Sequence, residues 1–495
     1  MGRDIDRERF DEADFGRFEA RLRECLEALG LLLRRPGFGE GPATLGAELE
    51  LFLVSPQGGA LPINQKVLSE ILDSRLTYEL DRFDLECNLS PLPLAGRPFA
   101  ALGRELGEVL ALADRGARAH RGRAVAVGIL PTFRAADFGS LSMTDVARYR
   151  VMSSALRSRR GEPFAVRLEG SDPLELVAEE AVLEGANASF QVHLRVAPAG
   201  FTDTYNAAQL ATAPVLAACG NSPIFLGHRL WQETRIGLVK QSVDDRPAGA
   251  ERRGVPARVS FGRRWLDGGA EELFAGIVKQ YPAVLPVVAD EAPVASASAG
   301  RVPELAELRL HTGTVWLWNR PVYDPADGGH LRVELRALPA GPTAVDMVAN
   351  AAFHLGLTLA LEPAAPAWTA GLAFEDASRN FYRAAQAGLN AELLWPEGPG
   401  LPPRRLSARE VALRLLPVAR EGLLRAGVEP GDADPPLAVL EGRLESGQTG
   451  AQWQLQTLEA LEPRFGRAEA LAEMFRRYVA LADAGDPVHL WPVDC

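Results

Sequence analysis

Lysine is almost missing from this 495-residue chain, which contains only Lys66, Lys240 and Lys279. Lysine and arginine together number 53, against 65 acidic residues, so the formal net charge is -12. Binding to nucleic-acid phosphates depends on clustered basic side chains. The acidic balance therefore argues against a nucleic-acid partner.

Cysteine is also scarce, and the few present form no C-x-x-C pair and lie at no metal-site spacing from a histidine: Cys25, Cys87, Cys219 and Cys495. This usage is typical of small buried side chains in a reducing compartment. The first residues, MGRDIDRERFDEADF, are too charged for a signal peptide. We therefore expect a cytoplasmic protein.

No apolar run is long enough to cross a bilayer. The longest, 348–361, contains Asn350 and His354, and it is shorter than the roughly 20 residues that a spanning helix needs. We predict a buried helix there and no membrane partner.

The common nucleotide-binding motifs are absent as well. The chain has no G-x-x-x-x-G-K-[ST], no kinase glycine loop followed by V-A-I-K, and no dinucleotide fingerprint. The lack of H-E-x-x-H argues against a zinc peptidase. If ATP binds, we expect it to bind on a sheet rather than on a phosphate-binding loop.

Hydrophobic periodicity divides the chain into two parts. We predict a sheet-bearing catalytic domain over 1–365 and a mostly helical C-terminal region over 366–495 that packs on it. The Ala-, Pro- and Ser-rich segment 285–303 is predicted to be a loop or mobile flap. Helical spacing occurs in two segments, 11–35 and 97–119. Strand patterns occur at 45–54, 84–90, 124–130, 188–196, 314–320 and 330–337.

Four of these strands carry an unusual polar face. Side chains alternate between the two faces of a strand, so Glu48 and Glu50 are neighbours about 7 Å apart on one face. A strand with one wet face is the ordinary case in an antiparallel sheet, and each strand alone has that simpler explanation. Here, however, the polar positions of the other three strands are also rich in acids, arginine and histidine: Asp84, Glu86 and Asn88; Gln191, His193 and Arg195; Arg332, Glu334 and Arg336.

Such a surface predicts a particular chemistry. Clustered carboxylates repel one another unless a cation lies among them, and Mg²⁺ prefers oxygen ligands and accompanies substrate phosphates. Arginine recognises phosphate and carboxylate through its planar fork. The combination favours phosphoryl transfer.

An ordered series of segments resembles the glutamate–cysteine ligase family, which belongs to the glutamine synthetase-like carboxylate–amine ligases. The segments run from about residue 44 to 455: G-A-E-L-E (46–50), Y-E-L-D-R-F-D-L-E-C-N (78–88), R-Y-R-V-M (148–152), F-Q-V-H-L (190–194), G-N-S-P (220–223), H-T-G-T-V-W (311–316), H-L-R-V-E-L-R (330–336), A-G-P-T-A-V-D (340–346) and Q-T-G-A-Q-W-Q (448–454). The resemblance implies an α+β fold, in which a glutamine synthetase-like antiparallel sheet curls into a barrel-like active site surrounded by helices.

The resemblance also implies roles for individual residues. The implied metal ligands for two or three Mg²⁺ ions are Glu48, Glu50, Glu79, Glu86, His193 and Glu334. Glu334 and Arg336 would be catalytic, with Arg336 facing the transferred phosphoryl group. Further contacts to ATP or substrate would come from Arg235, Lys240 and Arg332. Glu79 could instead be a solvated acid and His193 a structural histidine.

The implied reaction is an ATP-dependent ligation in two steps, through an acyl phosphate of glutamate that cysteine then attacks to give γ-glutamylcysteine. Three alternatives remain open: a related ligase with a different amine acceptor, a non-catalytic ATP-binding protein, and a carbohydrate- or lipid-binding barrel. The implied partners are small molecules (ATP, glutamate and cysteine or another amine), and the chain could be a monomer or a homodimer.

Overall fold

A computed structural model describes residues 5, 7–139 and 141–493. The strands within these residues are β1 Thr44–Val54, β2 Leu76–Tyr78, β3 Asp84–Asn88, β4 Leu92–Pro93, β5 Arg123–Val125, β6 Phe164–Leu168, β7 Leu174–Ala178, β8 Phe190–Val196, β9 Ile224–Phe225, β10 His228–Arg229, β11 Val259–Ser260, β12 Trp316–Leu317, β13 Asn319–Asp324, β14 His330–Leu335, β15 Glu392–Pro396 and β16 Pro403–Ser407.

Helices surround these strands. In the same described residues they are α1 Glu12–Leu33, α2 Asn64–Glu70, α3 Pro98–Ala119, α4 Ala147–Arg160, α5 Phe201–Cys219, α6 Arg235–Ser242, α7 Gly269–Gln280, α8 Pro293–Ser298, α9 Ala306–Gly313, α10 Ala344–Leu361, α11 Ala365–Ala370, α12 Phe374–Ala387, α13 Ala408–Arg425, α14 Pro430–Ser446, α15 Gly450–Phe465 and α16 Arg467–Ala484.

The main sheet has the order β13-β14-β8-β1-β3-β2, with β4 and β5 also paired to β1. Every pairing in it is antiparallel. The long central β1 pairs β8 and β4 near its start, β3 in its middle and β5 at its end, and the sheet curls into a half-barrel. The predicted α+β fold with a curled antiparallel sheet is confirmed.

Two strand predictions needed correction. The predicted strand 124–130 ends at Val125, because the carbonyl of Ala126 accepts a hydrogen bond from the Tyr478 hydroxyl (2.9 Å) instead of from a neighbouring strand. The predicted strand 314–320 breaks at Trp318, since β12 pairs parallel with β11 whereas β13 pairs antiparallel with β14. Both breaks depend on contacts between distant segments.

The two predicted N-terminal helices form as α1 and α3. The Asp11 side chain caps α1 by accepting a hydrogen bond from the backbone N–H of Asp14 (2.9 Å), and the Asp14 side chain accepts one from the backbone N–H of Asp11 (2.9 Å). The face of α1 that contains Phe18, Leu22 and Cys25 is buried, as the helical spacing of these apolar residues predicts. Other contacts of α1 hold the segment 285–303 in place.

The prediction of a loop over 285–303 is wrong for its centre, which forms α8. Proline at the first helical position and the alanines that follow favour a short helix there. Arg35, just after α1, donates hydrogen bonds to the carbonyls of Ala297 (2.9 Å) and Gly300 (3.0 Å). This segment is therefore a partly helical strap that is anchored to α1.

The predicted buried helix over 348–361 is α10. By length and composition the stretch Ala344–Ala370 could cross a membrane, but 78% of its apolar window is buried inside the fold. Helix α13 packs very closely against α10 at Gly422. A Cβ added at this glycine would lie only 2.2 Å from the carbonyl oxygen of Gly356. Burial against neighbouring helices accounts for the apolar composition of α10.

The chain after residue 365 consists mainly of helices and includes the β15–β16 hairpin. One hydrophobic core cluster includes residues from both sides of this position. Asn221 links the two sides: its amide donates to Tyr478 (2.9 Å) and accepts from Gln454 (2.9 Å). Division into a catalytic domain and a C-terminal region at 365 remains a proposal.

Arg443 in α14 is a buried connection between helices. It is 1% exposed and donates hydrogen bonds to Asp346 (2.8 Å) and Asn350 (2.6 Å) of α10.

Replacing Arg443 by Met is expected to lower the free energy of unfolding by about 3–5 kcal/mol, because Asp346 would remain buried without its cation. Urea denaturation measures this loss. The matched control is Arg420→Met, which breaks a surface pair with Asp434 and is expected to have no measurable effect; equal behaviour of the two variants would contradict the prediction.

Candidate active site

The register of the main sheet brings the predicted acidic residues together. Directly paired residues of antiparallel strands share one face of the sheet. Glu50 of β1 is paired with Glu86 of β3, and His193 of β8 is paired with Glu334 of β14. Glu48 lies two residues from Glu50 on the same face, so four strands contribute to one polar surface.

Glu48, His193 and Glu334 form a compact group, here called the metal triad. One ligand atom from each lies within 4.8 Å of the others, and none of the three residues is more than 9% exposed. Nε2 of His193 is 3.3 Å from Oε1 of Glu48, yet neither ring nitrogen makes a hydrogen bond. Unpaired buried polar atoms are rare in folded proteins. Two carboxylates and a free imidazole nitrogen therefore fit a divalent cation.

The surroundings keep both acids of the metal triad ionised. Burial by itself raises the pKa of Glu48, but the adjacent His193 outweighs it and holds this pKa at about 2. Burial likewise opposes ionisation of Glu334, and Arg320 and Arg336 hold its pKa well below the usual range. Ionised carboxylates are the form that binds metal.

A second acidic group, consisting of Glu50, Glu79, Glu86 and Glu184, lies beside the metal triad. Burial and the neighbouring Glu86 raise the pKa of Glu50 to about 7, although the Ser189 amide donates a hydrogen bond to it. Burial and the charges of Glu86 and Glu184 raise the pKa of Glu79 well above its usual value. These acids repel one another, and a cation among them would relieve that repulsion.

Both groups border one cavity with a volume of about 900 Å³. All four members of the second acidic group line it, as do Glu48 of the metal triad and Arg336. The segment before α8 also contributes to its wall, through Leu285, Ala289 and Glu291. The backbone amide of Ala289 is held by the buried Glu307 at 2.8 Å. The strap described above thus forms one wall of the candidate site.

Arg336 connects the two groups. Its Nη1 donates to Oε1 of Glu334 (2.6 Å) and to the amide oxygen of Gln191. The amide nitrogen of Gln191 in turn donates to Oε1 of Glu50 (3.0 Å). A guanidinium group held in this way between two sets of acids is positioned for a phosphoryl group that enters the cavity.

Sequence patterns did not identify two residues of this site. Glu184 lies in the 3₁₀ turn Ala181–Ala186, outside any strand alternation, and its only signal was an acid within the apolar segment AVLEGA. Burial and Glu50 raise its pKa to about 7. Arg320 lies in the predicted strand 314–320 but was not among the predicted site residues, and it makes two hydrogen bonds to Glu334, at 2.6 and 3.0 Å.

Three predicted substrate-binding residues lie away from this cavity. Arg235 is buried, donates to Glu233 (2.9 Å) and lies 5.8 Å from the ring of Trp318. Lys240 lies over the ring of Tyr382 at 4.6 Å. Arg332 pairs with Asp324 at 3.2 Å. Each of these three side chains therefore has a structural partner within the protein. Their roles in binding ATP or substrate remain predictions.

Comparisons with known proteins show the family and the fold of this chain. The family model described as glutamate–cysteine ligase family 2 matches residues 44–477. The glutamate–cysteine ligase of Francisella tularensis in complex with AMP has a similar fold, with a TM-score of 0.54 and 13% identity over 92% of this chain and 91% of that chain. A bifunctional glutathione synthetase from Pasteurella multocida aligns with a TM-score of 0.44 and 10% identity over 95% of this chain and 55% of that chain. No match was found among curated proteins.

Proposed function

Because this chain belongs to the glutamate–cysteine ligase family 2, we propose that it is a Mg²⁺- and ATP-dependent ligase that forms γ-glutamylcysteine from glutamate and cysteine. Membership of the family supports an ATP-dependent carboxylate–amine ligase as the general class. The identity of the two substrates is the finer part of the proposal. We further propose that the enzyme acts in the cytoplasm on these small molecules.

The metal triad is the observation that carries the proposal. Its three side chains come from β1, β8 and β14, Glu334 is hydrogen-bonded to Arg336, and Glu48 and Arg336 line a cavity of about 900 Å³. A non-catalytic binding protein would not require buried acids, an imidazole and a guanidinium group within one site. A sugar- or lipid-binding lumen would be expected to present aromatic side chains in place of this second acidic group.

We propose that the metal triad holds one Mg²⁺ and that Glu50, Glu79 and Glu86 hold another. Bound Mg²⁺ would supply the positive charge that ATP needs beside these acids. Arg336 would bind the γ-phosphoryl group and stabilise its charge during transfer. Gln191 and Glu334 would hold the guanidinium group of Arg336 in position, and the strap would limit access of water.

The proposed reaction has two steps. An oxygen of the glutamate γ-carboxylate attacks the γ-phosphorus of ATP, and the bond to the β-γ bridging oxygen breaks to release ADP. The amine of cysteine then attacks the carbonyl carbon of the γ-glutamyl phosphate, loses a proton and displaces inorganic phosphate. Neither step needs a covalent bond to the protein.

Formation of ADP by the purified protein tests this proposal. With Mg²⁺, ATP and glutamate present, we expect the rate to rise when cysteine is added and γ-glutamylcysteine to appear in the mass spectrum. Release of ADP that is dependent on glutamate but independent of cysteine would leave the ligase class standing and overturn cysteine as the acceptor. No turnover with any carboxylate or amine, despite binding of MgATP, would overturn the proposed function.

A further inference from the structure

The arginines on the cavity wall differ in their partners. Arg309 is paired with Glu304 (2.9 Å), and Arg320 and Arg336 are both paired with Glu334 (2.6 Å each). Arg148 also lines this cavity, but within the described part of the chain it forms no ion pair with a carboxylate. Its positive charge is therefore available to a ligand.

Contacts with Tyr149 fix the position of Arg148. Its Nη2 donates to the Tyr149 hydroxyl (3.4 Å), and its guanidinium carbon lies 4.8 Å from the centre of that ring. The hydroxyl donates in turn to the carbonyl of Tyr78 (3.0 Å). Burial and the nearby Glu79 raise the pKa of Tyr149, so the phenol stays neutral and does not compensate the charge of Arg148.

The helix that carries Arg148 does not stabilise its charge either. Arg148 is the second residue of α4, whose first turn contains no acid. The helix dipole places partial positive charge at this end, where a cation is unfavourable. A half-buried arginine in this position, next to a cavity, is better explained by an anion that enters the cavity than by the stability of the helix.

The proposed substrates identify such an anion. Glutamate and cysteine each have an α-carboxylate that takes no part in the reaction, and a planar guanidinium group binds a carboxylate through two parallel hydrogen bonds. Tyr149 donates its hydrogen bond to the carbonyl of Tyr78 in β2, so Arg148 lies at the β2 side of the cavity. Arg336, at the β14 side, is the proposed contact for the phosphoryl group.

We propose that Arg148 binds the α-carboxylate of an amino-acid substrate, and so selects α-amino acids over the amines that lack this group. The inference rests on the proposed function, because it assumes that both substrates are amino acids. Glutamate, the carboxylate donor, and cysteine, the amine acceptor, both have an α-carboxylate. Separate assays for the two substrates distinguish which α-carboxylate Arg148 binds.

The test compares each substrate with its decarboxylated analogue in the wild type and in Arg148→Gln. The donor assay uses glutamate against 4-aminobutanoate, and the acceptor assay uses cysteine against cysteamine. We expect kcat/KM for the carboxylated substrate to fall about 10- to 100-fold in one of the two assays, with little change for the analogue. Arg148→Lys should restore part of the loss. Arg157→Gln, on the same helix and paired with Glu179, should match the wild type.

An equal loss for substrates and analogues, or no loss in either assay, would overturn the inference even if the enzyme makes γ-glutamylcysteine. If the wild type shows no turnover, the proposed function fails separately. Equilibrium dialysis of labelled glutamate and labelled cysteine, with MgADP present, then decides the role of Arg148. Binding by the wild type that is weakened in Arg148→Gln would support it, whereas equal binding or no binding would overturn it.

Discussion

Replacement of Glu48 by Gln is expected to reduce ADP formation at least 100-fold. Glu48 is one of two carboxylates in the metal triad, and its Oε1 lies 3.3 Å from Nε2 of His193. Changing residues behind a metal ligand already costs about 10–100-fold in affinity or activity, so loss of a ligand should cost at least as much. Glutamine has nearly the same shape as glutamate, which preserves the packing of β1.

Two measurements separate this effect from unfolding. Turnover is measured as a function of Mg²⁺ concentration, and binding of Mn²⁺ as a spectroscopic substitute is followed by electron paramagnetic resonance. We expect weaker metal binding in Glu48→Gln and an unchanged thermal unfolding midpoint. Glu175→Gln is the matched control, because Glu175 is exposed on β7 and lies outside the cavity. Turnover in Glu48→Gln with an unchanged dependence on Mg²⁺ would contradict the assignment of a ligand.

Replacement of Arg336 by Gln is expected to lower kcat by about 10²- to 10³-fold, with a much smaller change in KM for ATP. Removing a single preorganised donor to a developing negative charge has effects of this size. The donor is preorganised here because Gln191 and Glu334 both accept hydrogen bonds from Nη1 of Arg336. Arg320 still pairs with Glu334 in this variant, so metal binding should persist.

The comparison for this prediction is Arg332→Gln on the same strand face. Arg332 pairs with Asp324 and does not line the cavity, so we expect its replacement to change kcat far less than that of Arg336. Arg336→Lys should retain the charge but only part of the activity, because lysine lacks the planar fork. Equal losses at Arg332 and Arg336 would show that the assignment of Arg336 to the phosphoryl group is wrong.

The faces of the strands could be predicted from the sequence because strand alternation is a local property. Each β residue points to the side opposite its neighbour, whatever the rest of the chain does. The alternation placed Glu48 and Glu50 on one face, and likewise His193 and Glu334 on the faces of their own strands. All four residues lie on the polar surface of the sheet in the structure.

Residues outside regular strands could not be identified in this way. Glu184 lies in a 3₁₀ turn and Glu79 in the connection between β2 and β3. The position of Glu79 was implied by a family resemblance and not by its spacing, whereas Glu184 had no such match. Loop residues enter a cavity according to how the loop folds onto its neighbours, which a periodic pattern does not contain.

The sequence by itself therefore determined the polar faces of the strands, the acidic character of the surface and the family to which the chain is similar. The tertiary structure alone decided which faces meet: the order β14-β8-β1-β3-β2 brings His193 beside Glu48 and Glu334, and leaves Arg235 and Lys240 outside the cavity. The physical reason is that strand order and register arise from contacts between segments far apart in the chain. No local pattern specifies those contacts.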